Sequence, residues 1–131
     1  MTLKRRSFLA GAAALGVAGP AAAAGPAPGT MYGMIGKMTA KAGQRDALAA
    51  ILLEGTAAMP GCLSYVVATD PGDADVLWIT EVWESKDAHA GSLALPAVRA
   101  AIAKGRPMIA GMQTIAESAP LGGAGLGVRA G

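Results

Sequence analysis

The chain has 131 residues, a formal net charge of +2, and 15% charged against 53% hydrophobic residues. A chain of this length forms one domain at most. The basic excess comes from Lys4, Arg5 and Arg6. Without the first 24 residues, eight basic and nine acidic residues remain, a net charge of −1. This balance offers no basic patch, so nucleic acid is excluded as an expected partner.

The first 24 residues are predicted to be an export signal. The basic Lys4-Arg5-Arg6 is followed by an uncharged apolar run from Phe8 to Ala18 and by the small residues Ala22-Ala23-Ala24. This layout is typical of a secretory signal, and the run is shorter than the roughly 20 residues of a membrane span. Arg5-Arg6-Ser7-Phe8-Leu9 resembles the twin-arginine motif, with general secretion as the alternative. We therefore expect a periplasmic or secreted protein without a stable membrane span after cleavage.

Residues 25–30 form a Pro/Gly linker, and strands and helices are predicted from there to residue 118. The predicted strands are Met31–Ala40, Cys62–Thr69, Val76–Glu84 and Met112–Ser118. The predicted helices are Gln44–Met59, Ser85–Leu93, and one that begins at Pro96 and stops or kinks at Gly105 and Pro107. The Gly/Ala-rich residues 119–131 have too little to bury and are predicted to be a disordered tail.

Local signals support these boundaries. In the first helix, Leu48, Ile51, Leu52 and Gly55 recur at the spacing of one helical face. In the helix after Pro96, the predicted apolar face is Val98, Ala101 and Ile102. Ser85 is a good N-cap for the helix that follows it. Asp70-Pro71-Gly72-Asp73 predicts a turn between the second and third strands, because Pro presets φ and Gly permits a positive φ.

The order β-α-β-β-α-β predicts an α+β protein of the ferredoxin-like type, a split βαβ unit with a four-stranded antiparallel sheet. Helices cover one face of such a sheet. The third strand nevertheless carries Val76, Trp78 and Val82 on one face and Leu77, Ile79 and Trp83 on the other. A half-solvated sheet alternates more cleanly. The pattern therefore predicts a homodimer in which a second copy covers the other face.

The window Asp75–His89 holds the residues best suited to chemistry, including the only His and both Trp residues. A neutral His89 could accept a proton from a phenol or hydroquinone, or it could fix helix to strand by a hydrogen bond. Trp83 could stack on an aromatic ring or fill the core. Glu81 needs a partner if it is buried. Lys37 is the candidate for a structural ion pair, and substrate binding is the alternative role of Glu81.

Other candidate residues are less distinctive. Tyr32 and Tyr65 could hydrogen-bond a substrate or fill the core, and Cys62 is predicted to be a buried, inert thiol. The sequence shows no zinc-ligand cluster, no Gly-rich phosphate loop in a strand-to-helix context and no Ser/His/Asp arrangement. No metal site is predicted.

Three stretches resemble the antibiotic biosynthesis monooxygenase (ABM) family, which includes quinol monooxygenases. Met59-Pro60-Gly61-Cys62-Leu63-Ser64-Tyr65 is similar to its helix-to-strand junction. Glu81-Val82-Trp83-Glu84-Ser85-Lys86-Asp87-Ala88-His89 is similar to its strand-to-helix core. Ala94-Leu95-Pro96 is similar to the turn before its next helix. The resemblance covers residues 31–118.

The resemblance implies a dimeric α+β barrel. Some members oxidise hydroxylated aromatic compounds with dioxygen and without a metal or flavin. The expected function is therefore cofactor-independent monooxygenation of a quinol or phenol-like compound, with His89 catalytic and Trp83, Glu81 and Tyr65 binding substrate. A related branch degrades haem through an axial His, but the comparable stretch here, residues 98–101, has none. The alternative is a non-enzymatic dimer that binds a small aromatic or apolar ligand.

Overall fold

The computed structural model describes residues 30–126. Its elements are β1 (Tyr32–Ala40), α1 (Arg45–Gly55), β2 (Cys62–Thr69), β3 (Val76–Trp83), α2 (Lys86–Ser92), α3 (Pro96–Gly105), a 3-10 turn (Arg106–Met108) and β4 (Ile109–Ser118). Within these residues, four strands form one antiparallel sheet in the order β2-β3-β1-β4. The predicted ferredoxin-like α+β fold is confirmed. The export signal, residues 25–29 of the linker and residues 127–131 of the tail lie outside the described residues.

Helix α1 ends four residues before its predicted end. Both the backbone N–H and Oγ1 of Thr56 donate to the carbonyl of Leu52, at 3.0 and 2.7 Å. The chain then turns into β2 through Gly61, whose φ is +80°. A Cβ on Gly61 would lie 2.7 Å from the Cβ of Ala88 in α2. The close approach of α2 and the left-handed turn therefore require glycine here.

The predicted turn and helix cap are both present, but the turn forms differently from expectation. The carboxylate of Asp70 accepts hydrogen bonds from the backbone N–H groups of Gly72 and Asp73, at 2.9 and 2.8 Å. Gly72 does not adopt a positive φ, so the side chain of Asp70 rather than glycine freedom shapes the turn. Ser85 caps α2 as predicted, because its Oγ accepts from the N–H of Ala88 at 3.0 Å.

The sheet has a covered face and an open face. In the β1–β3 pairing, Tyr32, Met34, Gly36 and Met38 stand opposite Trp83, Glu81, Ile79 and Leu77 on the covered face, beneath the helices. The open face carries Ile35, Lys37, Val66, Trp78, Thr80 and Val82. The predicted ion pair of Lys37 with Glu81 is therefore wrong, because the two side chains lie on opposite faces. Lys37 instead lies 5.8 Å above the ring of Trp78.

Most of the buried apolar side chains of the described residues form two clusters. One contains Met38, Ala40, Leu48, Leu77 and Ile79, and the other contains Met59, Trp83 and Val98. The predicted α1 face is confirmed for Leu48 and Gly55, which are buried. Beyond β4, residues 119–126 form no helix or strand, and Pro120 lies against Gly33. Nowhere in residues 30–126 is a helix both long and apolar enough to cross a membrane.

Candidate functional site

A cavity of about 350 Å³ lies between the helices and the covered face of the sheet. Met38 and Ile79 from one core cluster and Met59 and Val98 from the other line it, so the cavity divides the core. Gly36 forms part of its floor. A Cβ on Gly36 would meet nothing closer than two backbone carbonyl oxygens at 3.7 and 3.9 Å. The missing side chain therefore helps to keep this volume open.

Three of the four predicted site residues line this cavity: Tyr65, Glu81 and His89. Tyr65 on β2 stands directly opposite Glu81 on β3. Burial raises the pKa of Tyr65, and the charge of Glu81 raises it further. The phenol therefore stays neutral and can donate a hydrogen bond into the cavity. Trp83, the fourth, is not among the lining residues. It lies in the core, 1% exposed.

Glu81 is the buried charge of the site. Its side chain is 8% exposed, and its Oε1 accepts a hydrogen bond from Nε1 of Trp83 at 2.9 Å. The same oxygen lies 3.7 Å from Nε2 of His89. Burial raises the pKa of Glu81, while the Trp83 hydrogen bond and the charge of His89 lower it. A positive charge that develops on His89 therefore stabilises the ionised form of Glu81.

His89 is held on both sides by aromatic rings. Tyr32 lies 5.3 Å from it with a tilt of 47°, and Trp83 meets it edge-on at 5.4 Å and 76°. Its main chain is fixed in α2, where its carbonyl accepts from Oγ of the buried Ser92 at 2.6 Å. Within residues 30–126 the imidazole makes no hydrogen bond. Packing therefore positions the ring while its nitrogens remain available to a ligand.

A polar contact ties α2 to β4 beside this ring. The hydroxyl of Tyr32 donates to Oε1 of Glu117 at 3.1 Å, and Nζ of Lys86 lies 3.7 Å from the same oxygen. Lys86 also lies 5.6 Å above the ring of Tyr32. Burial, the hydrogen bond to Glu117 and nearby negative charge raise the pKa of Tyr32. The contact holds the Tyr32 ring against His89.

Comparison with known proteins identifies the family. The family model "antibiotic biosynthesis monooxygenase" matches residues 31–104, more than half of the chain. The chain belongs to the ABM family. No curated protein matches it.

Solved structures of ABM relatives share this architecture. A protein of Chloroflexus aurantiacus J-10-fl, provisionally named for the family, is 61% identical, with 75% of this chain and 100% of that chain covered and a TM-score of 0.72. Two provisional members, from Caulobacter crescentus CB15 and Nitrosomonas europaea, are 20% and 14% identical, with TM-scores of 0.64 and 0.62. Each alignment covers 71% of this chain and 92% of theirs. At that identity the last two show the fold alone.

Sequence reasoning missed two features of this ABM site. Gly36 lies inside a predicted strand, and a glycine at such a position is itself a signal of a close approach or of a missing side-chain wall. Tyr32 is predicted as a possible substrate ligand, whereas in the structure its ring packs against His89.

Cys62 is half-buried, and burial raises the pKa of its thiol. The described part of the chain contains no group of three or more His, Cys, Asp or Glu side chains placed to hold a metal ion.

Glu81→Gln should make the stability of this ABM domain less dependent on pH. Because burial raises the folded-state pKa above the ordinary value of 4.5, the folded state binds more protons than the unfolded state between those two pKa values. The free energy of unfolding therefore falls as pH rises through that window, and Glu81→Gln removes this loss. Urea denaturation across pH 4 to 8 measures the slope. The exposed Glu84 provides the control, since Glu84→Gln should leave the slope unchanged; an unaltered slope in Glu81→Gln would contradict the prediction.

Proposed function

We propose that the protein is a cofactor-independent monooxygenase acting on a quinol or phenol-like aromatic compound. The observation that carries this proposal is the His89–Glu81 pair at the wall of an otherwise largely apolar cavity. Its volume of about 350 Å³ lies at the small end of the range for ligand sites, about 300–1,000 Å³. This size suits a compound with one or two rings.

In this proposal His89 accepts the proton of the substrate hydroxyl. Nε2 faces Glu81, whose carboxylate stabilises the imidazolium that forms, and Tyr65 donates a hydrogen bond to the substrate. The resulting phenolate is electron-rich and reduces dioxygen directly. For a phenol with a free para carbon, the products are a para-quinone and water. Dioxygen receives four electrons, all from the substrate; one oxygen atom enters the ring and the other leaves in water.

The alternative function is binding without turnover. The observation that favours it is the largely apolar lining, with Met34, Met38, Met59 and Met112 among its members. Methionine adapts to ligands of different shape. If this reading holds, hydroxylated aromatic compounds bind without consuming oxygen.

Oxygen uptake with a panel of hydroquinones and phenols tests the proposal. Gly36→Val fills the floor of the cavity with a residue that suits a strand, so it should abolish uptake and leave the melting temperature at or above that of the wild type. Gly91→Ala is the control, because a Cβ on Gly91 would meet nothing within 4 Å and Gly91 does not line the cavity. Uptake that survives in folded Gly36→Val would place the reaction elsewhere. Binding without uptake in the wild type would favour the alternative.

We also propose a homodimer in which two open faces meet. Ile35 and Val66 are 38% and 49% exposed on this face, and they share it with Trp78 and Val82. Sedimentation of residues 25–131 should give a dimer at micromolar concentration. Val82→Asp should dissociate or unfold the protein, because it would bury a charge without a partner. A well-folded wild-type monomer would contradict this proposal.

Export by a twin-arginine signal is a separate proposal and rests on residues 1–24. Replacing Arg5 and Arg6 by Lys should retain precursor in the cytoplasm. Normal export of this variant would contradict the twin-arginine route, though not secretion itself.

A further inference from the structure

The residues that line the cavity differ in how far their side chains are exposed to solvent. The least exposed of them include the carboxylate of Glu81, 8% exposed, and the apolar Ile79, 4% exposed, while His89 is 22% exposed. At the mouth lie Ile102, Leu93 and Met112, which are 39%, 53% and 65% exposed. All six line the same cavity. The carboxylate of Glu81 is therefore buried, while three large apolar side chains of the lining meet solvent together with Gln113 and Thr114.

The three apolar side chains at the mouth come from separate parts of the fold. Leu93 follows α2, Ile102 belongs to α3 and Met112 to β4. We call them the rim. The sequence predicts Ile102 on the buried face of α3, yet it is more exposed than its face partners Val98 and Ala101, at 7% and 8%. Thr114 adds one polar side chain beside the rim. Lys37 and Gln113 also border the cavity, and they stand opposite each other in the β1–β4 register of the open face.

An apolar rim costs free energy while it faces water. A ligand that buries it must extend past the cavity and must be apolar at that end. At the other end His89, whose ring makes no hydrogen bond within residues 30–126, can take a hydroxyl or another polar group, with the Glu81 carboxylate 3.7 Å from its Nε2. The two features together favour an amphiphilic molecule whose polar end enters first.

We infer that the site takes a hydroxylated aromatic ring bearing an apolar side chain, with the ring hydroxyl at Glu81 and His89 and the chain lying along the rim. This inference names the substrate class of the proposed function and rests on that site. Charged groups or sugars at the end of the ligand that lies on the rim are disfavoured, because they would be placed against Leu93, Ile102 and Met112.

Calorimetric titration of the full-length mature protein under argon, with 2-alkylhydroquinones from methyl to hexyl as probes, tests the inference. Affinity should rise about two- to fourfold for each methylene that reaches the rim, since a buried methylene contributes about this much. In Leu93→Gln/Met112→Gln the rise of affinity with chain length should largely disappear. Leu53→Gln is the matched control, because Leu53 is 55% exposed on α1 and does not line the cavity. It should behave as the wild type.

Three results would overturn the inference. They are affinity independent of chain length, an equal loss in Leu53→Gln, and a change of subunit number in the rim variant by sedimentation, which would make the rim a subunit contact. Oxygen uptake with methylhydroquinone but without a chain-length effect would leave the proposed function standing and reject the inference. A chain-length effect without oxygen uptake would support the inference and reject the oxygenase.

Discussion

His89→Gln should lower the rate of oxygen uptake by about 10²- to 10⁴-fold, which is what a positioned general base typically contributes. Glutamine keeps a hydrogen-bonding side chain of similar reach but cannot accept a proton near neutral pH. The imidazole makes no hydrogen bond to residues 30–126, so this variant breaks none of the hydrogen bonds within them, and Glu81 keeps the one from Trp83. We therefore expect the melting temperature to change little, and kcat to fall more than the affinity for substrate.

Tyr32→Phe is the companion variant for this measurement. It keeps the ring that packs 5.3 Å from His89 and removes the hydroxyl that donates to Glu117. Uptake should remain near the wild-type rate if ring packing alone positions His89. Equal uptake in wild type and His89→Gln would remove His89 from the mechanism. Glu81 or the substrate's own acidity would then have to account for deprotonation.

Trp83→Ala should reduce the free energy of unfolding by about 3–5 kcal/mol, the usual cost of deleting a buried large aromatic side chain. Trp83 is 1% exposed and supplies the hydrogen bond to Glu81. Trp83→Phe separates these contributions, because it keeps a ring and removes the N–H donor. It should cost about 1–3 kcal/mol and raise the pKa of Glu81, since the Trp83 hydrogen bond lowers it.

Trp78→Phe is the control for this pair. Nε1 of Trp78 also donates to a carboxylate, at 2.7 Å from Oδ1 of Asp70, but that bond lies in the turn at the end of the hairpin. Its loss should not alter the pH dependence assigned to Glu81. Urea denaturation followed by far-UV circular dichroism measures all three variants without relying on tryptophan fluorescence. Equal effects of Trp83→Phe and Trp78→Phe would show that the buried carboxylate does not depend on Trp83.

The sequence predicted the helices and strands better than it predicted which residues of different elements contact each other. Strand β2 begins and ends where its β-branched and aromatic residues indicate. Helix α1 was predicted too long, because Ala57, Ala58 and Met59 favour a helix while the turn at Gly61 needs those residues. Tertiary structure decided between the two.

The error over Lys37 has a different origin. Alternation fixes which residues of one strand share a face, but it does not give the register between strands. Lys37 stands opposite Trp78 and not Glu81. The clustering of Tyr65, Glu81 and His89 near one cavity required the fold as well as the sequence. The cavity itself depends on Gly36, a residue without a side chain, so no polar motif could reveal it.

The divided core has a consequence for finding the natural ligand. Met38 and Ile79 on one side of the cavity and Met59 and Val98 on the other lack part of the close packing that protein interiors normally reach. A compound that fills this space completes the interior, and the melting temperature then rises with its concentration. Heat denaturation in the presence of a chemical library would therefore report occupancy for a substrate, a product or an inert ligand alike. A rise in melting temperature can thus identify compounds that bind the cavity before any reaction is known.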